Sequence, residues 1–186
     1  LPNQTLTDAL SDLQQAIDLG VSHISWYQLT IEPNTVFYRN TPILPDDEIL
    51  VDIFEQGAQL LKANGFVQYE VSAWSRQADF QPSQHNLNYW QFGDYLAIGA
   101  GAHGKVTRSD GIYRFSKSRL PKDYRVNQSA IGWQAIQPSD LPFEFMMNGL
   151  RLKNGVPKQF WVERTGLAWS VIEPQLIKLH NRGLVE

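Results

Sequence analysis

His23-Ile24-Ser25-Trp26-Tyr27-Gln28-Leu29-Thr30 is the stretch on which the fold turns. It is dense in β-branched and aromatic residues and too short for a helix, so it reads as a strand. Before it, Leu6, Ala9, Leu10, Leu13, Ala16 and Ile17 recur at three- and four-residue spacing. That spacing predicts a helix, stopped by Gly20. Thr5 with Asp8 is a weak capping box, since Asp replaces the preferred Glu or Gln. After the strand, Glu32-Pro33-Asn34-Thr35 is loop chemistry, and Pro45-Asp46-Asp47-Glu48 opens a second helix with its acids at the positive end of the dipole. Ile49, Ile53, Gly57, Leu60 and Leu61 form its inner stripe, and Gly65 closes it. Phe66-Val67-Gln68-Tyr69-Glu70-Val71 follows as a second strand. The order helix, strand, helix, strand predicts βα units on a parallel sheet, hence an α/β fold. Two parallel strands alone leave edges and an apolar face open, so further strands of a larger α/β domain are expected upstream.

Downstream, the polar segment from Ser75 to Gln84 reads as a loop. Ser109-Asp110-Gly111 is a hairpin turn between Lys105-Val106-Thr107 and Ile112-Tyr113-Arg114-Phe115. Residues 116–139 are polar and punctuated by proline, a connection with a short helix around Asp123 to Ser129. From Ser139-Asp140-Leu141-Pro142 a new helix starts, with Phe143, Met146, Met147 and Leu150 on one face, and Gly155-Val156-Pro157 breaks it. A short helix around Lys158 to Arg164 and a last one from about Ser170 to Asn181 follow, with Pro174 in the first turn, where its missing N–H costs little. Three short helices leading to a strand suggest a small winged-helix-like unit over 140–186. The chain would then divide into 1–115, a connection over 116–139, and that unit. The absence of an initial Met and the strand-like start at Gly183-Leu184-Val185-Glu186 predict cut ends.

Composition narrows the function. Lys and Arg number 16 against 19 Asp and Glu, leaving a formal charge of -3, which argues against a basic nucleic-acid or membrane-surface binder. No apolar run approaches the ~20 residues that span a bilayer. With no cysteine in 186 residues, a disulfide scaffold and a thiolate metal site are excluded for this chain. A cytoplasmic protein without nucleic-acid partners or a transmembrane segment is the plain reading. The basic residues of the tail, Arg151, Lys153, Lys158, Arg164, Lys178 and Arg182, are spread out and offset by acids rather than gathered into one positive face.

Chemistry is expected at the carboxyl ends of the strands. Glu32 and Glu70 stand there as a carboxylate pair, or as acceptors for backbone donors or a ribose hydroxyl, against the plainer reading of loop acids and strand-end caps. The run Gly99-Ala100-Gly101-Ala102-His103-Gly104 lacks the ending of a P-loop and opens no helix, so close backbone approach is its better reading. His85 and His103 lie among small and aromatic residues. Either one is an iron ligand or general acid–base, or both are hydrogen-bonded structural histidines. Haem is the case in which one protein ligand suffices. Tyr89 and Trp90 would offer flat apolar surface to a macrocycle, or serve as ordinary core aromatics. Met146 and Met147 read as core.

Four blocks together carry a resemblance: Leu1-Pro2-x-Gln4-Thr5, His23-Ile24-Ser25-x-Tyr27-Gln28-Leu29-Thr30-Ile31-Glu32-Pro33-Asn34-Thr35, His85-Asn86-Leu87-x-Tyr89-Trp90, and Gly99-x-Gly101-Ala102-His103-Gly104. The chain resembles the HemW-like radical SAM haem chaperones, a branch of the oxygen-independent coproporphyrinogen III oxidase family. The resemblance implies the C-terminal part of a partial (β/α)6 TIM-type barrel, followed by a helical domain. It also implies S-adenosylmethionine (SAM) and a [4Fe-4S] cluster on a Cys-x3-Cys-x2-Cys motif upstream of Leu1. This chain, lacking those cysteines, is then expected to be inactive in radical chemistry by itself. SAM contacts would fall on Thr30 and Tyr69, partly through backbone atoms. The His-Asn-x-x-Tyr-Trp block implies haem binding, with His85 as the iron ligand, Tyr89 and Trp90 lining the site, and acceptor haemoproteins as partners. The oxidase branch, acting on coproporphyrinogen III, is the alternative.

Overall fold

The computed structural model describes residues 1–129 and 131–185, so the strand expected to begin at Gly183 reaches, at Glu186, outside the described residues. The chain forms two units, Leu1–Ser83 and the remainder from Gln84.

The first unit opens with α1 (Leu6–Asp18), whose cap is the capping box foreseen in the sequence: the Asp8 N–H donates to the Thr5 hydroxyl while the Asp8 carboxylate takes the Thr5 N–H. Strand β1 (His23–Ser25) follows, then a single turn α2 (Val36–Arg39), the long helix α3 (Asp47–Ala63), and strands β2 (Phe66–Glu70) and β3 (Ala73–Arg76). Asp46 caps α3 through its carboxylate on the Ile49 N–H. Helix α1 buries Ala9, Leu13 and Ile17, and α3 buries Ile53, Gly57 and Leu61, the spacing that puts one stripe inside. Of the expected α3 stripe, Ile49 is instead exposed. Leu13, Ile17, Ile24, Leu61, Phe66 and Trp74 make one core. Gly57 has a packing reason: a Cβ there would stand 2.2 Å from the Trp26 ring and 2.9 Å from Leu13. Gly57→Ala gains helix propensity of about 1 kcal/mol, but overpacking of this kind costs about 1–3 kcal/mol. A net loss of melting temperature is expected, and an unchanged or raised one would contradict the packing.

The parallel sheet expected from the βα order is not what forms. Strand β3 lies between β1 and β2 and pairs antiparallel with both, in the order β1-β3-β2. Strands β1 and β2 do run in the same direction, but they are not neighbours. The short link at Val71 and Ser72 closes a β2–β3 hairpin, a contact needing only a tight turn, where parallel neighbours need a long crossover. Ser75 and Arg76, read as loop, belong to the central strand, in which Ala73, Trp74 and Ser75 are all buried. Burial on both faces removes the alternation that betrays a strand in sequence. Strand β1 ends at Ser25, five residues short of Thr30, and beyond it one bond, from the Trp26 N–H to the Ser72 carbonyl, extends the pairing.

The second unit begins with α4 (Gln84–Trp90) and continues as the hairpin β4 (His103–Arg108) and β5 (Gly111–Ser116), turning at the residues the sequence indicated. The segment read as a connection holds α5 (Pro121–Val126), three residues earlier than its expected end, and a third strand, β6 (Ile131–Ala135), paired antiparallel with β5. Ile131, Trp133 and Ala135 alternate as a strand does, but β6 is exposed along its length and lies inside a polar, proline-punctuated stretch. Helices α6 (Leu141–Gly149), α7 (Gln159–Thr165) and α8 (Glu173–Asn181) complete the unit; a 3-10 turn at Trp169–Val171 occupies the start expected for the last helix. Phe92 and Ile112 share a core with Leu141, Phe145, Trp161 and Ile172. Hairpin and C-terminal helices are therefore packed together, across the boundary that composition suggested.

Candidate functional site

Helix α4 carries the His-Asn-x-x-Tyr-Trp block. Seven residues make a marginal helix in isolation, so tertiary contacts must hold it. Four residues apart, His85 and Tyr89 share a face, with ring centroids 4.7 Å apart and planes edge to face. His85 is exposed, and among the described residues its imidazole has no hydrogen-bond partner. The sequence grouped Trp90 with these two. Five residues on, it points about 140° away around the helix. Its indole lies under the Arg151 guanidinium, 4.8 Å from ring centre to carbon, with Nε1 buried and unpartnered.

Past the helix, Phe92 takes a left-handed φ of 59°, and the Gly93 N–H returns to the Asn88 carbonyl at 2.7 Å. A Cβ on Gly93 would lie 2.0 Å from the Asn88 side chain, so this turn admits only glycine. The Asn88 amide in turn donates to the Asp94 carbonyl at 2.8 Å. The Asp94 carboxylate accepts from the Lys105 ammonium, the Thr107 N–H and the Thr107 hydroxyl, at 3.0, 2.7 and 2.9 Å. Burial works against its charge, but these donors outweigh burial and hold the carboxyl below its usual range. Lys105 is 2% exposed, and its ammonium also lies 4.3 Å from the centre of the Phe92 ring. Burial pulls the Lys105 ammonium below its ordinary value, against the pull of Asp94. Tyr95 exchanges two backbone hydrogen bonds with Lys105, each 2.9 Å, and its ring lies tilted against Tyr89 with centroids 4.2 Å apart. Sequence reasoning passed over Asp94, Tyr95 and Lys105. The only hint was a lysine in an otherwise strand-like stretch.

The other candidates resolve differently. His103 is exposed at the start of β4, opposite Ser116. The glycine run is pinned to its own chain: Gly99 N–H donates to the Tyr124 hydroxyl and Gly101 N–H to the Ser118 carbonyl. Gly104 lies under Phe115, whose ring a Cβ would meet at 2.3 Å. Close backbone approach, the reading preferred over a phosphate loop, is what this run shows. Met146 packs on the core, while Met147 is exposed. In the first unit, Thr30 and Glu32 are exposed, whereas Glu70 is 1% exposed and accepts from the Ser72 N–H. Tyr69 is buried, and its hydroxyl is engaged by the His23 Nε2 at 2.8 Å and by the Ser83 N–H at 3.2 Å. Burial pushes the His23 imidazole below its ordinary value, favouring the neutral ring in that bond.

Among the described residues no three His, Asp or Glu side chains gather to share a metal ion. A lone exposed imidazole backed by aromatic rings suits iron that brings its own equatorial ligands, as haem does. The same residues cannot hold an iron–sulfur cluster through thiolates, because the chain has no cysteine. No helix among the described residues is long and apolar enough to cross a membrane.

The fold defines the class first. The chain superposes on coproporphyrinogen III oxidase (HemN) of Escherichia coli, a radical SAM enzyme, with a TM-score of 0.68 over 96% of this chain and 44% of that one. At 13% identity this likeness speaks for the fold alone, a mixed α/β C-terminal part of that enzyme's architecture. Residues 136–186 match the HemN C-terminal domain family. The heme chaperone HemW of Haemophilus influenzae is 58% identical over 157 residues, and that of Escherichia coli 54% over 153. These alignments cover 84% and 82% of this chain and, in each case, 40% of the relative. The chain belongs to the HemW-like radical SAM family. It spans about 40% of the length of the curated relatives it matches.

Proposed function

We propose that this chain forms part of a cytoplasmic haem chaperone, in which His85 ligates the iron of haem as cargo for delivery to acceptor haemoproteins. The exposed His85 imidazole, without a hydrogen-bond partner among the described residues and with Tyr89 against its ring, carries this reading. Tyr89 lines the haem face, and Trp90, clamped beneath Arg151, borders the site while anchoring the helix. The names of the HemW relatives support a chaperone over the oxidase, whose porphyrinogen substrate has no iron for an imidazole to bind.

Thr30 and Tyr69 contribute to a SAM site, partly through backbone atoms, in line with their places after β1 and within β2. The cofactor would supply the radical chemistry associated with a [4Fe-4S] cluster, to which this chain offers no thiolate. Helices α6 to α8 form the first part of a winged-helix-like domain that docks the acceptor. Titration with ferric haem, followed at the Soret band, tests the central claim. His85→Ala is expected to weaken binding by at least about tenfold, equivalent to ~1.4 kcal/mol, and to shift the band. Unchanged affinity and spectrum would overturn the assignment.

A further inference from the structure

We propose that Tyr95 is a positioning residue for the His85 imidazole, held in that role by buried Lys105 and its ion pair with the exposed Asp94. The proposal rests on the reading of His85 as the haem ligand. A ligand on a seven-residue helix cannot be oriented by that helix alone, because a helix this short does not persist without partners. Its support must come from elsewhere, and the rings show from where. Tyr89 meets the His85 ring edge to face and the Tyr95 ring at a tilt of 38°, at centroid distances of 4.7 and 4.2 Å.

Tyr95 is in turn fixed from below. Both its backbone groups are bonded to Lys105 on strand β4, an isolated antiparallel bridge that ties the loop after α4 to the hairpin. Among the described residues the buried charged side chains are those of Lys105 and Glu70. A buried ammonium is costly unless paired, and here Asp94 and the Phe92 ring do the pairing. Asp94 adjoins Tyr95 and carries the return connection to α4 through the Asn88 amide. A continuous set of contacts thus runs from strand β4 to the His85 ring, with a backbone bond, the Lys105–Asp94 ion pair or a ring contact at every step. Supporting groups of this kind around metal-bound histidines commonly change affinity by roughly 10–100-fold.

The function of the Tyr95 ring, not its hydroxyl, is at stake. Ferric haem titrations of the wild-type protein, Tyr95→Leu, Tyr95→Phe, Thr107→Val and His85→Ala test it, with Soret spectra, electron paramagnetic resonance of the ferric complex and thermal melts on each. Tyr95→Leu is expected to weaken haem binding roughly tenfold and to broaden the resonance signal, as an unoriented imidazole would. Tyr95→Phe keeps the ring and should restore wild-type affinity to within about twofold while matching its spectrum. Thr107→Val loosens Asp94 from the exposed side of the hairpin and should move the signal in the same direction, by less, without lowering the melt as a core change would. Should Tyr95→Leu fail to fold, Thr107→Val decides alone. Wild-type spectra in Tyr95→Leu or, failing that variant, in Thr107→Val overturn the proposal, as does a Tyr95→Phe defect as large as that of leucine. The His85→Ala arm separates the two claims. If it binds haem like wild type, the ligand assignment has failed; if it loses haem while Tyr95→Leu does not, only the positioning role has.

Discussion

Replacing Trp161 with alanine is expected to cost about 3–5 kcal/mol, the range for removing a fully buried tryptophan. Trp161 is 1% exposed at the centre of the second unit's core, edge to face with Phe145 at 5.4 Å and with Trp169 at 6.5 Å. Its Nε1 donates to the Ala168 carbonyl, so the substitution removes a hydrogen bond as well as the ring. The freed carbonyl belongs to an exposed residue and finds water, so the cavity dominates the loss. A thermal melt lower by at least ~10 °C is the expected readout. A shift of only a degree or two would mean that the helices do not share this core.

Trp74→Ala should be comparably damaging in the first unit, again about 3–5 kcal/mol. Trp74 is 1% exposed on the central strand, where it faces Ile24 of β1 and Gln68 of β2 across the pairing and packs with Leu13, Ile17, Leu61 and Phe66. Because β3 is the middle strand of the order β1-β3-β2, weakening it loosens both ladders at once. Hydrogen exchange should show β1 and β2 losing protection together. Loss in β2 alone would contradict the order β1-β3-β2.

Much of the helical framework was legible in the residues. The apolar spacing of α1 and α3, the Thr5–Asp8 cap and the Asp46 start each depend on contacts three or four residues apart, which a sequence displays directly. The Ser109-Asp110-Gly111 hairpin was legible for the same reason. What stayed hidden was β3, buried on both faces and so without alternation, and β6, whose short alternation of Ile131, Trp133 and Ala135 sits inside a polar stretch that reads as a connection. His85 and Tyr89 could be paired by spacing. Trp90 was grouped with them by adjacency in sequence, and the link of Tyr95 and Lys105 to His85 was not legible because it passes through a loop and a strand pairing.

The sequence by itself therefore determined the family, the helices and the motif helix that carries the candidate ligand, since these depend on local spacing and on long matching blocks. Tertiary structure decided the sheet order, the packing of hairpin and C-terminal helices around one core, and the support behind His85. The physical reason is common to all three. Strand pairing, core sharing and the burial of Lys105 beside Asp94 are contacts between residues far apart along the chain or beyond a helix end. Their energy depends on which surfaces meet, and that is not written in the periodicity of either segment.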